Sequence, residues 1–203
     1  SESKLRGHGI TYCTTCDGPL YKGKVVATVG GGNSALESAL FLAEICPKVY
    51  LINKNPKFKG DATLLDKVTA NAKIKIIDSS MTTNVLGETQ TEGVEYKDEN
   101  GNLHVLDDVR GVFAHIGQLP NSSLVGSDVT KNAIGEIMVD KQCRTNIPGL
   151  FAAGDVTDVP YKQIAIATGE GVKAALSAVS YLNTLPRSSK AEEYAEETET
   201  VQA

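Results

Sequence analysis

The sequence predicts an α/β fold, and three observations carry the prediction. Residues 25–29 and Val49–Ile52 are almost continuous apolar runs, as expected for parallel strands buried on both faces. Between them, residues 35–43 carry alanine and leucine at three-and-four spacing, which indicates an amphipathic helix. From residue 81 onward, short segments alternate apolar and polar residues, as antiparallel strands do. A parallel βαβ unit followed by an antiparallel β-meander is therefore predicted.

The rest of the first 117 residues continues this pattern. The Asn100-Gly101 pair between two alternating segments is a strong hairpin signal. The antiparallel strands are expected to cover one side of the parallel sheet. The further predicted elements are a helix at residues 61–72 and strands at Ile74–Ile77, Met81–Leu86, Gly93–Lys97, Leu103–Leu106 and residues 111–116.

The later part of the chain is more irregular. Strands are predicted at residues 135–140 and 150–153, and a helix at residues 161–182, where Gly169 and Gly171 indicate close approach of another backbone or a ligand. From Arg187 the sequence is too polar to bury anything, and residues 185–203 are predicted to form an acidic, disordered tail. The boundary between two domains is placed between residues 117 and 118.

A glycine cluster follows the first strand. Gly30-x-Gly32-x-x-Ala35 allows a tight turn, close approach of backbone N–H groups to a pyrophosphate, and close packing of helix on strand. Asn33 and Ser34 lie within the same turn. Strand, glycine turn, helix and strand together predict a Rossmann-like, three-layer NAD(P)-binding domain. The alternative is a helix start that happens to be rich in glycine.

The end of the second strand indicates which dinucleotide binds. A carboxylate at this point binds a ribose 2′-hydroxyl, whereas basic side chains accept a 2′-phosphate. Here Asn53 is followed by Lys54, Lys57 and Lys59. NADH and NADPH therefore both remain open, and the lysines can equally be part of a solvated loop.

Cys13 and Cys16 form a CxxC pair, which can exchange two electrons through a small disulfide ring. Asp17 follows directly and can relay the proton that disulfide reduction requires. The alternative is two small buried side chains. Cys46 and Cys143 have no partner at useful spacing and are predicted to be structural.

Composition excludes several classes of function. The formal net charge is −5, and the sequence has no basic stripe of the kind that binds nucleic acid. No apolar run approaches the roughly 18 residues that span a bilayer, and residues 1–9 lack the apolar segment of a secretory signal, so a cytoplasmic location is expected. A zinc site is disfavoured because the three histidines are scattered.

Four motifs together carry a resemblance. The chain resembles the low-molecular-weight thioredoxin reductases and the related flavoprotein subunit of alkyl hydroperoxide reductase from Gly7 to Leu182. The segment at residues 160–171 is more similar to the hydroperoxide reductase subunit, because Lys162 stands where thioredoxin reductases tend to carry arginine. The motifs are residues 12–18 (YCTTCDG), 30–35 (GGGNSA), 149–155 (GLFAAGD) and 161–164 (YKQI).

The resemblance implies an FAD-dependent disulfide reductase. Electrons would pass from NADH or NADPH through FAD to the Cys13–Cys16 disulfide, with Cys16 facing the flavin, Cys13 attacking the disulfide of a thioredoxin-like or peroxiredoxin-system protein, and Asp17 donating a proton. The nicotinamide domain would swivel on a hinge at residues 117–121. The resemblance implies FAD contacts at Gly154, Asp155, Gln163 and Ile164, and the predicted cofactor-binding set also includes Gly117 and Lys162.

The sequence departs from this family in one respect. Family members begin with an FAD-binding half that carries its own Gly-x-Gly-x-x-Gly, and this sequence has no second such motif. Residues 1–8 are therefore predicted to be a linker, residues 9–117 the NAD(P)H-binding domain and residues 118–184 the C-terminal portion of an FAD-binding domain. The chain is expected to be a fragment of a homodimeric enzyme, and the alternative is a chain that functions with a separate FAD-binding polypeptide. The alternative function is a dinucleotide-binding module without turnover.

Overall fold

The computed structural model describes residues 2–186, so the predicted acidic tail lies almost entirely outside the described residues. The chain divides into two compact units, residues 1–117 and 118–203. The helices are α1 (Glu2–Leu5), α2 (Thr14–Asp17), α3 (Asn33–Ile45), α4 (Ala62–Ala70) and α5 (Ile164–Thr184), with short 3-10 helices at Gly18–Tyr21 and Gly154–Val156. The strands are β1 (Ile10–Thr11), β2 (Val26–Val29), β3 (Val49–Ile52), β4 (Ile74–Ile77), β5 (Met81–Leu86), β6 (Gly93–Lys97), β7 (Leu103–Leu106) and β8 (Val112–Ala114).

The first unit is built on a five-stranded parallel sheet of order β1-β8-β2-β3-β4. The apolar runs of β2 and β3 are buried on both faces because α3 and α4 cover one face and a second sheet covers the other. That second sheet is antiparallel, of order β5-β6-β7, and packs Val85 and Val94 against Ala27 and Ile52. The predicted three-layer α/β architecture is confirmed.

Residues 2–8 differ from the predicted linker. They begin with the one-turn helix α1, and the Leu5 side chain is completely buried among Ile10, Val94 and Val112. A single leucine is too weak a signal to reveal this packing from the sequence. The segment forms part of the first unit.

The second unit contains the 21-residue helix α5 and a largely irregular chain before it. The strands predicted at residues 135–140 and 150–153 are wrong: within the described residues these segments form only isolated bridges, such as Ile137 with Thr157 and Arg144 with Phe151. A short apolar segment becomes a strand only where a neighbouring strand satisfies its backbone groups. None of the described helices is long and apolar enough to cross a membrane.

Candidate functional site: a dithiol turn and a dinucleotide turn

The turn between β2 and α3 depends on Gly30, whose φ is 144°. A Cβ at this position would lie 2.2 Å from the carbonyl oxygen of His115, so only glycine fits. Gly32 is the N-cap of α3, and the first N–H groups of a helix have no partner within the helix. The turn therefore suits an anionic pyrophosphate at the start of a 13-residue helix.

Asn53 holds the loop that follows β3. Its side chain is 2% exposed, and its amide nitrogen donates to the carbonyls of Asn55 (2.8 Å) and Lys57 (3.2 Å). A Cβ on Gly31 would lie 2.4 Å from the Asn53 carboxamide oxygen. Both amide hydrogens are therefore engaged within the protein, and the geometry does not support the prediction that Asn53 itself binds the cofactor.

The predicted site residues of α3 divide between surface and core. The Asn33 amide donates to Asp61 Oδ2 (2.8 Å), and its carboxamide oxygen accepts from the Asp61 backbone N–H (2.7 Å). Ser34 is exposed, whereas Ala35 is fully buried in the core. Asn33 therefore ties the glycine turn to the start of α4, and both Asn33 and Ser34 are exposed.

The lysines after β3 lie at the rim of the same turn. The backbone N–H of Lys59 donates to the Gly31 carbonyl at 2.7 Å, which anchors the loop. Lys54, Lys57 and Lys59 are all exposed. Three cations in this position can accept a 2′-phosphate, so the structure is compatible with NADPH as well as with NADH.

The CxxC pair is a disulfide in this structure, with Cα atoms 5.3 Å apart. Cys13 is the N-cap of α2, and its Sγ accepts a hydrogen bond from the Cys16 backbone N–H at 3.2 Å. Cys13 is half-buried and Cys16 is exposed. Because the two sulfurs are bonded to each other, they are not thiolate ligands for zinc in this state. Cys46 and Cys143 are free and buried, as predicted for structural cysteines.

An open groove of about 480 Å³ lies beside the disulfide. Asp17 lines it, and its Oδ2 accepts a hydrogen bond from the Thr11 hydroxyl. Tyr12 also lines it, with the Arg6 guanidinium 5.4 Å from the ring centroid. A hydrogen bond to Glu2 raises the pKa of the Tyr12 phenol, so Tyr12 stays neutral at physiological pH. The groove gives a reactant access to Cys13 next to a carboxylate.

The second unit carries the remaining predicted residues. Gly154 has a φ of 76° and is buried, whereas Asp155, Gln163 and Ile164 are exposed. Lys162 is instead engaged within the protein, 2.8 Å from Glu136 Oε1 and 2.5 Å from the carbonyl of Thr157. The Lys162 hydrogen bond lowers the pKa of Glu136. Lys162 therefore holds the loop before α5, and its ammonium is not free for a cofactor.

Sequence reasoning missed one polar cluster. The Thr14 hydroxyl, between the two cysteines, lies 2.9 Å from His115 Nε2 and 2.6 Å from the Ser38 hydroxyl. His115 follows β8, and Ser38 is on α3, so three distant segments meet here. Burial lowers the pKa of His115 below its usual value. Hydrophilic residues so far apart give no periodic signal, and only the fold reveals the contact.

These features define an α/β protein that combines a glycine turn suited to a dinucleotide with a CxxC disulfide. Residues 2–171 match the family described as pyridine nucleotide-disulphide oxidoreductase, and the chain belongs to that family. Members of the family use FAD and NAD(P)H. The resemblance based on four motifs is thus confirmed.

Individual relatives refine the comparison. The F subunit of alkyl hydroperoxide reductase from Escherichia coli (strain K12) is 48% identical over 183 residues, covering 89% of this chain and 35% of that protein. A Bacillus subtilis (strain 168) protein named NADH dehydrogenase is 39% identical over 181 residues, covering 89% of this chain and 36% of that protein. Thioredoxin reductase from Streptococcus pyogenes MGAS5005 has a TM-score of 0.83 at 29% identity, covering 91% of this chain and 61% of that one. The chain spans about a third of the length of these curated relatives.

Proposed function

We propose that this chain forms the nicotinamide- and dithiol-bearing part of an FAD-dependent disulfide reductase. Electrons pass from NADH or NADPH through FAD to the Cys13–Cys16 disulfide, and then to a thioredoxin-like or peroxiredoxin-system protein. The observation that carries the proposal is a CxxC disulfide beside an open groove, in the same unit as a glycine turn shaped for a dinucleotide. The names of the relatives supply the class of partner. By family resemblance, the longer enzyme is a homodimer.

The cysteines take distinct roles in this proposal. Once the disulfide is reduced, the Cys16 N–H stabilises a thiolate at Cys13, so Cys13 is the nucleophile. Its sulfur attacks one sulfur of the partner disulfide, forms a mixed disulfide and releases one partner thiolate. Cys16 then attacks Cys13 Sγ, restores the internal disulfide and releases the second partner thiolate. Asp17 supplies a proton to a released thiolate.

The residues at each turn fit their proposed cofactors. A Cβ on Gly32 would meet no protein atom within 4 Å, and Ser34 is exposed, so there is room for a pyrophosphate at the start of α3. Gly154, Asp155, Gln163 and Ile164 are the residues of this chain proposed to hold part of an FAD. A bound flavin supplies the conversion of a nicotinamide hydride into the two electrons that reduce the disulfide.

Trapping the mixed disulfide tests the roles of the cysteines. The Cys16→Ser variant keeps the Cys13 thiol, and its partner is a thioredoxin-like protein whose single remaining active-site cysteine carries thionitrobenzoate in a disulfide. The Cys13 thiolate is expected to attack that cysteine sulfur, release thionitrobenzoate and form a stable mixed disulfide between the two proteins. The matched Cys13→Ser variant is expected to form at least tenfold less, because it lacks the thiol whose sulfur accepts the Cys16 N–H. Mass spectrometry of the non-reduced adduct gives the yield. Equal trapping by both variants, or preferential trapping by Cys13→Ser, would contradict the assignment.

A dinucleotide-binding module without turnover is the second candidate. It is favoured for this chain alone because Asp155, Gln163 and Ile164, which are proposed to hold part of an FAD, are all exposed. Two measurements on the purified chain distinguish the reductase from the module. They are its visible spectrum, which detects bound flavin, and its rate of NAD(P)H-driven reduction of an aromatic disulfide. Stoichiometric flavin with turnover supports the reductase for this chain. Dinucleotide binding without flavin or turnover assigns it the module function.

A further inference from the structure

A chain of polar side chains runs through the interior between the dithiol turn and the dinucleotide turn. Thr14 is 8% exposed, Ser38 is 3% exposed and Thr28 is fully buried. The Thr14 hydroxyl bonds Ser38 (2.6 Å) and His115 Nε2 (2.9 Å), and the Ser38 hydroxyl lies 3.4 Å from that of Thr28. The proposed electron transfer uses none of these groups.

Buried polar groups are costly unless they bond one another. Here the bonds also join separate elements: Thr14 opens α2, Ser38 lies on α3 and Thr28 lies on β2. Apolar side chains could fill the same space, but they would not fix the orientation of the Thr14 side chain. The hydrogen bonds, in contrast, require Thr14 to hold one orientation.

His115 contacts both turns. Its backbone N–H donates to the Val29 carbonyl at 2.7 Å, and its carbonyl oxygen occupies the space that a Cβ on Gly30 would need. Its imidazole meanwhile reaches Thr14, the residue directly after Cys13. The dithiol turn is therefore anchored to the same residue that shapes the dinucleotide turn.

We propose that His115, acting through Thr14, is a positioning residue for the redox pair. It fixes the start of α2 so that the Cys16 N–H stays aimed at Cys13 Sγ and stabilises the Cys13 thiolate of the reduced pair. This inference rests on the proposed function, since it requires Cys13 and Cys16 to cycle between disulfide and dithiol. Reduction breaks the S–S bond with two electrons and leaves a thiolate on Cys13 and, after one proton from solvent, a thiol on Cys16.

The test is a redox titration of the 203-residue chain in glutathione buffers, where two glutathione thiols supply the electrons and become glutathione disulfide. Alkylation and mass spectrometry give the fraction reduced. Thr14→Val and His115→Leu are expected to shift the equilibrium about tenfold toward the Cys13–Cys16 disulfide, which for two electrons is about 30 mV. Thr14→Ser and His115→Gln keep a hydrogen-bonding group and are expected to stay within about twofold of the unmodified chain.

Thr15→Val is the matched control, because Thr15 is the exposed neighbour in the same turn. It is expected to titrate like the unmodified chain. If circular dichroism shows that His115→Leu is unfolded, the titration of Thr14→Val alone tests the inference. A folded Thr14→Val variant with unchanged titration overturns the inference, as does a shift of equal size in Thr15→Val. If the unmodified pair fails to titrate at all, the proposed function itself fails.

Discussion

At the scale of single residues, His115 links the stability of the first unit to pH. Burial lowers its pKa below the usual value of 6.5, so the neutral imidazole is the form that the folded state favours. The unfolded chain then binds more protons just below pH 6.5, and the free energy of unfolding falls as the pH drops. At pH values above the unfolded pKa this contribution to stability is fully present.

Replacement of the imidazole tests that dependence. In His115→Gln, the decrease in unfolding free energy between about pH 7.5 and about pH 5.5 is expected to be smaller than in the unmodified chain, because the titrating group is gone. Urea unfolding followed by circular dichroism at several pH values measures it. The exposed His8 provides the control, since His8→Gln is expected to keep the original slope. An unchanged slope in His115→Gln would contradict the assignment.

Substitutions at two glycines of the same turn distinguish an effect on folding stability from an effect on dinucleotide binding. Gly30→Ala is expected to destabilise the first unit by about 2–4 kcal/mol, because its Cβ meets a backbone carbonyl and its φ is positive. A Cβ on Gly32 meets no protein atom within 4 Å, so Gly32→Ala is expected to keep stability within about 0.5 kcal/mol. Gly32→Ala should still weaken NADH binding at least tenfold in calorimetry, because the methyl group enters the space of the phosphates. Unchanged affinity would place the pyrophosphate elsewhere.

The sequence predicted the residues of the site better than their contacts. Cys13, Cys16 and Gly30 follow from local spacing, because a CxxC ring and a glycine turn are formed by residues adjacent in the chain. The contact of Thr14 with His115 depends on where distant segments of the chain pack. Spacing along the chain contains no information about such contacts.

At the scale of elements, the hairpin between β6 and β7 is held by one carboxylate. Asp98 accepts hydrogen bonds from His104 Nε2 (2.9 Å), from the Asn102 side chain (3.1 Å) and from the backbone N–H groups of Asn100 and Asn102 (2.9 Å each). These bonds, led by that of His104, lower its pKa to about 2. The charged form therefore stabilises the hairpin above the unfolded pKa of 3.8, and this contribution is lost as the pH falls toward about 2.

Asp98→Asn removes the charge and is expected to lower the urea midpoint at pH 7. The difference from the unmodified chain should shrink as the pH falls from about 4 to about 2, because the native carboxylate is then protonated as well. Glu99→Gln changes an exposed carboxylate in the same turn and is the control expected to leave the midpoint unchanged. A difference that persists undiminished at pH 2 would contradict the role of the Asp98 charge.

Prediction of elements succeeded where burial and pairing are both local. The apolar runs of β2 and β3 pair with each other in the parallel sheet and are buried by the layers on its two faces, and the Asn100-Gly101 turn pairs β6 with β7. The segment at residues 135–140 contains the apolar run Ile137 to Val139, but within the described residues it forms only isolated bridges. The strand predicted there is wrong because a short apolar run does not supply a partner strand.

At the scale of the whole molecule, the two units differ in how much core they contain. The first unit buries two clusters, one on each face of its parallel sheet. In the second unit, none of the 21 residues of α5 is buried, and large apolar side chains such as Val172 (58%) and Leu176 (67%) are exposed. Since burial of apolar surface is the main favourable term in folding, we expect α5 to be less stable than the parallel sheet of the first unit.

Hydrogen exchange tests this difference. Amides of α5 are expected to exchange at least a hundredfold faster than those of β2 and β3, because low-stability regions open without global unfolding. Peptide-resolved mass spectrometry of the 203-residue chain measures both regions in one sample, so the first unit is the internal control. The Gly30→Ala variant sharpens the test, since it should accelerate exchange in β2 and β3 while leaving α5 unchanged. Equal protection of α5 and the parallel sheet would mean that some interaction covers the apolar face of α5, and would overturn the predicted order of stability.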